Sequence, residues 1–66
     1  MGVINKVNEL RKRKGLSQMR LAVLSKVGRS TISNIENGIY VPGVDIALRL
    51  SIALGCKVED LFFLSE

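Results

Sequence analysis

The side chains of this chain that could do chemistry are cations and hydrogen-bond donors. Arg29 and Asn34 enclose a run of small polar residues that contains Ser30, Thr31 and Ser33. An arginine fork can donate twice to guanine O6 and N7, an asparagine amide can pair with adenine, and Ser and Thr can contact phosphate or a thymine methyl group. The chemistry available to this segment is the reading of base edges, if the fold presents it to nucleic acid. The alternative for any one of these residues is a solvated surface position.

Other kinds of site are excluded by residue types that are missing or scarce. The 66 residues include no His and a single Cys56, which excludes a zinc cluster, a Cys–His nucleophile pair and an intramolecular disulfide. Cys56 is either a buried small hydrophobe or a redox or intermolecular contact, and its solitary use suits the cytoplasm. The sequence offers no membrane segment and no pocket for a small-molecule ligand. We expect no enzyme, cofactor or metal site, because no acid–base constellation is recognisable among the acidic residues Glu36, Asp45, Glu59 and Asp60.

Charge and hydropathy suggest two different partners. The net charge is +4 although 47% of the residues are apolar, and residues 1–20 hold six Lys and Arg against one Glu, whereas residues 21–66 hold four basic and five acidic residues. A basic end favours a polyanion, but the run from Arg11 to Lys14 can also be a solvated helix end. The large apolar fraction of so small a domain favours a second, apolar contact surface.

Apolar spacing predicts the elements that position these side chains. Residues 3–14 are predicted as a helix that Gly15 ends, and a second helix runs from an N-cap at Ser17 to about Ser25. A third helix follows from Arg29 to Asn37, with Ile32 and Ile35 on its inner side. The remaining helices are Val44 to Leu54 and a short turn from Val58 to Phe62 or Phe63. No segment alternates with period two, so the fold class is all-α, a five-helix bundle in one domain over residues 1–66.

The second and third predicted helices, separated by about three residues, have the layout of a helix-turn-helix over about residues 17–37. The chain resembles the phage repressor and Cro-like (Xre-type) helix-turn-helix family over about residues 8–62. The resemblance rests on motifs in matching order: Leu10-Arg11, Gly15-Leu16-Ser17-Gln18, Leu21-Ala22, Arg29-Ser30-Thr31-Ile32-Ser33, Ile35-Glu36-Asn37-Gly38, Pro42, Leu48, Leu50, Ala53-Leu54-Gly55 and Glu59-Asp60-Leu61-Phe62.

The resemblance implies a lambda-repressor-like bundle whose third helix enters the major groove of double-stranded DNA. It implies that Gln18 holds a phosphate and braces that helix, and that Arg11 bridges to Glu36. Asn37 and Tyr40 fall where the loop after the third helix meets phosphate in the family. The alternatives are an exposed helix-start residue for Gln18 and a ring packed under the loop for Tyr40.

Departures from the family pattern point to a partner surface. Lys26 stands where the family usually has glycine, so the turn must accept a left-handed residue or change shape. Apolar residues replace the usual polar ones at Val23, Leu24, Ile46 and Ile52. We therefore expect a homodimer built mainly from the fourth and fifth helices, with Ile46, Ile52, Phe62 and Phe63 at its interface.

The leading hypothesis is a sequence-specific transcriptional regulator, a repressor that binds a palindromic operator. The alternative is a protein-interaction module of antitoxin or coactivator type with secondary DNA binding.

Overall fold

The computed structural model describes residues 2–65, which form five helices and one two-stranded sheet. The elements in chain order are β1 (Val3–Asn5), α1 (Val7–Arg13), α2 (Gln18–Ser25), α3 (Arg29–Glu36), α4 (Val44–Leu54), α5 (Val58–Leu61) and β2 (Phe62–Leu64). No helix in this described stretch has the length and apolarity that crossing a membrane requires.

The two ends of the described chain pair as antiparallel strands, which corrects the predicted helix over residues 3–14. Val3 lies opposite Leu64 and Asn5 lies opposite Phe62, and the first helix begins only at Val7. The predicted fifth helix likewise ends at Leu61, before β2. Three-residue strands are too short to show a period of two, and their pairing partner lies about sixty residues away in the sequence. The fold is therefore mainly helical, and all-α is only an approximate description.

A small apolar core lies behind α3. Ile32 and Ile35 on α3 are 0% and 1% exposed, and they belong to a cluster whose other buried members are Val7, Leu21, Val27, Leu50, Leu54 and Leu61. Each helix and the α2–α3 turn contribute at least one of these residues. Burial of apolar surface is the main favourable term in folding, so this core fixes α3 with its other side facing outward.

The turn between α2 and α3 carries the one non-glycine residue with positive φ among residues 2–65. Lys26 has φ 58° and ψ 35°, so the left-handed alternative is the one that the turn adopts. Its carbonyl oxygen accepts a hydrogen bond from Arg49 Nη1 at 3.4 Å. The helices on either side have the predicted starts, at Gln18 after the Ser17 cap and at Arg29 after Gly28, and α3 ends one residue before the predicted Asn37.

Candidate nucleic-acid interface

The outward side of α3 brings together most of the predicted base-reading residues. Arg29, Ser30 and Asn34 are exposed and Ser33 is half-buried, and these four side chains line one shallow depression. Because Ile32 and Ile35 face the core on the same helix, this polar side is fixed in orientation. The depression offers a guanidinium, two hydroxyl groups and an amide, which is a donor and acceptor set able to bond base edges.

The remaining predicted contact residues lie outside this depression. Thr31 is half-buried, and its Oγ1 lies near Gly28, where a Cβ would approach it to 3.6 Å. Asn37 is exposed at the end of α3. Tyr40 is 41% exposed, and its amide donates to the Asn34 carbonyl at 3.2 Å. The loop after α3 is thus folded back onto the helix, with the Tyr40 side chain partly in solvent.

Four side chains meet at the C-terminal end of α3 and form what we call the Glu36 cluster: Asn8, Arg11, Gln18 and Glu36. Arg11 donates from Nε to Glu36 Oε2 at 2.8 Å and from Nη2 to Oε1 at 3.1 Å. Oε1 also accepts from Asn8 Nδ2 at 2.9 Å and from Gln18 Nε2 at 3.2 Å. The Arg11 and Glu36 side chains are only 11% and 4% exposed. The cluster therefore ties α1 and the start of α2 to the end of α3.

The cluster holds both of its charged groups in the ionised form. Burial alone would raise the pKa of Glu36, but hydrogen bonds from Arg11, Asn8 and Gln18 outweigh it and lower the pKa below its ordinary value of 4.5. The hydrogen bond to Glu36 raises the pKa of Arg11 against the opposing effect of burial. Arg11 Nη1 also donates to the Leu16 carbonyl at 2.8 Å, so the buried guanidinium is bonded on several sides, as a buried charge requires.

Two residues that the sequence analysis did not single out contact α3. Asn8 lies three residues before Arg11 and so shares its side of α1, a helical spacing that could have revealed it. Asn5 lies in β1, and its Nδ2 donates to the Ile35 carbonyl at 2.9 Å. A helix predicted over residues 3–14 carries no signal for this contact, because the contact depends on the pairing of β1 with β2.

The basic run in α1 is not a uniform cationic surface. Arg11 is buried in the Glu36 cluster, and Arg13 pairs with Glu9 at 3.3 Å on the exposed side of α1. The Lys14 side chain extends to the C-terminal end of α4. Its Nζ lies so close to Gly55 that a Cβ added to this glycine would be only 3.1 Å away. There its charge complements the negative end of the helix dipole. Two cations of the predicted basic end, Arg11 and Arg13, thus already have a carboxylate partner.

The four residues predicted at a dimer interface have different neighbours in the single chain. Ile46 and Phe62 are both partly buried and pack against the core, and Phe63 faces the Lys6 ammonium 5.6 Å from its ring centre. Ile52 lies in a second depression, the basic patch, formed by Leu24, Ser25, Lys26, Arg49 and Ile52. Phe62 lines a third depression, the apolar groove, formed by Val3, Val41, Pro42, Val44, Ala47, Val58 and Phe62.

Comparison with known proteins gives one consistent result. Residues 7–61 match the model of a family described as "Helix-turn-helix". The chain is 47% identical to the HTH-type transcriptional regulator YgzD of Bacillus subtilis over 94% of both chains. It is 39% identical to the competence pilus inhibition repressor of Acinetobacter baylyi, of which it spans 60%. Its fold is similar to the crystal structure of the restriction-modification controller protein C.AhdI from Aeromonas hydrophila, with TM-score 0.80, 36% identity and 83% coverage of each chain.

Proposed function

The chain belongs to this helix-turn-helix family of transcriptional regulators, and we propose that it is a repressor that reads a palindromic DNA operator as a homodimer. The observation that carries the proposal is the depression on α3, where Arg29, Ser30, Ser33 and Asn34 face outward together. These are the side chains that a helix needs on its outer side to read the major groove.

In the proposed complex α3 lies in the major groove. Arg29 donates to guanine O6 and N7, and Asn34 pairs with adenine, each contact contributing about 1–3 kcal/mol of discrimination. Ser30, Thr31 and Ser33 contact phosphate or a thymine methyl group. Gln18, Asn37 and Tyr40 contact phosphates on either side of the helix, and such contacts set its register along the duplex.

A second copy provides the second half-site. A twofold dimer brings the same surface of both copies together. If the basic patch formed the contact, Lys26 and Arg49 of one copy would lie against Lys26 and Arg49 of the other, and these like charges would repel. All seven residues of the apolar groove are uncharged. Val44 is 77% exposed and Val41 is 59% exposed in the single chain. We therefore propose that the dimer contact forms at the apolar groove. Of the four residues predicted at the interface, Phe62 lines this groove, and Ile46, Ile52 and Phe63 do not.

The DNA-reading role is tested by selecting bound duplexes from a random pool. The chain should enrich an inverted repeat whose half-sites lie about 34 Å apart. Arg29→Ala and Asn34→Ala should each weaken binding to the selected site about 10- to 100-fold and relax the preference at one base pair per half-site. Lys12→Ala, which removes an exposed cation from α1, is the control and should weaken selected and unrelated duplexes alike. A chain that enriches no sequence contradicts the proposal.

The dimer contact is tested by sedimentation at micromolar concentration. Val44→Asp in the apolar groove should yield the 7.3 kDa monomer. Ile52→Asp, at a residue of almost equal exposure (79% against 77%), should remain a dimer. The opposite result would move the contact to the basic patch. A wild-type chain that remains monomeric on DNA would contradict the homodimer itself.

A further inference from the structure

Strand β1 contacts the end of α3 through one side chain. Asn5 Nδ2 donates to the Ile35 carbonyl at 2.9 Å, while Asn5 Oδ1 accepts from the Val7 amide at 3.2 Å. The same Ile35 carbonyl accepts from the Gly38 amide at 3.0 Å. Ile35 lies in the last turn of α3, where helix carbonyls lack an intrahelical partner. One amide group thus joins the strand, the start of α1 and the turn that follows α3.

The strand that carries Asn5 is held at both ends. The Lys6 amide donates to the Leu61 carbonyl at 2.9 Å, and Asn5 lies opposite Phe62 in the sheet. At the other end the Gly2 amide donates to Ser65 Oγ at 3.0 Å. Asn5 therefore approaches α3 from a fixed backbone, and its hydrogen bond can restrain where the helix ends.

We propose that Asn5 is a positioning residue for DNA reading, an inference that rests on the proposed function. Asn5 sets the position of the C-terminal end of α3 and of the loop that carries Asn37 and Tyr40. The Glu36 cluster holds the same helix end through side chains, whereas Asn5 holds its backbone. Ile32 and Ile35 keep α3 folded on the core when Asn5 is changed, so the change appears in the alignment of α3 with the DNA.

The test compares binding to the selected operator with binding to an unrelated duplex of equal length. Asn5→Asp keeps the oxygen that accepts from Val7 but places a second oxygen against the Ile35 carbonyl, and Asn5→Ala removes both bonds without adding charge. Each variant should lose about tenfold in operator affinity relative to the unrelated duplex, as expected for the loss of one partly buried hydrogen bond. Ser65→Ala is the matched control, because it removes the side-chain hydrogen bonds to Gly2 at the other end of the same sheet, while the Ser65 amide still donates to the Gly2 carbonyl at 2.8 Å and keeps that end of the strand in place. Its ratio of affinities should stay at the wild-type value.

Two outcomes separate this inference from the proposed function. If the wild-type chain prefers its selected operator but both Asn5 variants keep the wild-type ratio within twofold, Asn5 is only structural and the inference is wrong. If the wild-type chain prefers no sequence, the proposed function fails first. If both variants fail to fold, hydrogen exchange of the wild-type chain provides the test. The Lys6 and Gly38 amides should exchange through one shared opening reaction, with the same opening free energy. Different opening free energies for the two amides would overturn the inference.

Discussion

Replacing Glu36 by Gln changes one group at the centre of the Glu36 cluster, and we expect it to destabilise the fold by about 3 kcal/mol. Glu36 Oε1 accepts from Arg11, Asn8 and Gln18, and Oε2 accepts from Arg11 Nε. A Gln oxygen at the Oε1 position keeps three of these donors as partners. Its NH2 group then faces Arg11 Nε, so that two donors oppose each other and the Arg11 charge loses its counterion.

The magnitude follows from the burial of the pair. With side chains only 11% and 4% exposed, solvent cannot replace the lost carboxylate, and breaking such a pair costs about 3–5 kcal/mol. We take the lower end because Arg11 keeps its bond to the Leu16 carbonyl. A domain of this length has a total stability of about 3–10 kcal/mol. The substitution therefore removes a large part of it and should lower Tm by about 12–24 °C.

The assay is urea unfolding followed by circular dichroism at neutral pH, with Glu9→Gln as the control. Glu9 also pairs with an arginine, but the Arg13 and Glu9 side chains are 70% and 51% exposed, and exposed i,i+4 pairs contribute about 0.3–0.5 kcal/mol. If Glu36→Gln costs no more than Glu9→Gln, the reasoning from burial is refuted.

Acid provides a second check on the same group. Because the pKa of Glu36 is lowered in the folded chain, its contribution is complete above pH 4.5 and is lost as the pH falls through the folded pKa. The difference in stability between the wild type and Glu36→Gln should therefore shrink below that pH. A difference that stays constant into strong acid would contradict the assigned pKa direction.

Two further substitutions test local features by the same unfolding assay. Lys26→Gly should stabilise the chain by about 0.5–1 kcal/mol because glycine adopts positive φ without strain. Lys26→Ala removes the charged side chain but keeps the Cβ that is strained at this φ, so it should leave stability nearly unchanged. Ser17→Ala should cost about 1 kcal/mol, since Ser17 Oγ accepts from the Arg20 amide at 3.0 Å and caps α2. Ser17→Asp keeps an acceptor there and should retain most of the stability; equal losses in both variants would rule out the cap as the cause.

The helix-turn-helix could be predicted from the sequence because its signals are local. Ser17 caps α2, and Ile32 and Ile35 mark the inner side of α3, so their spacing predicts that Arg29, Ser30 and Asn34 face outward. The left-handed conformation of Lys26 is one of the two alternatives predicted from the glycine that the family usually has at this position. Each of these features depends on residues within a few positions of one another.

What could not be predicted depends on distant partners. Val3, Ile4 and Asn5 fit a helical apolar spacing, and only the pairing of β1 with β2 decides otherwise. The surroundings of the residues predicted at a dimer interface also depend on distant partners. A departure from the family's residue types does not reveal that Ile46 packs against the core while Ile52 lies beside Arg49, because which side of a helix is covered depends on the packing of its neighbours.

The pairing of β1 with β2 has a consequence for the order in which the fold is completed. Helix α2 contacts α3 and α4 across short stretches of chain, whereas β1 and β2 join residues about sixty positions apart, and closing so long a loop is entropically costly. We therefore expect the helical bundle to form before the sheet closes. The hydrogen bond from Asn5 to Ile35 is then among the last contacts made and, when an end of the sheet frays, among the first lost. The geometry of α3 is thus a property of the closed chain, and the segment from residue 17 to residue 37 alone would not reproduce it.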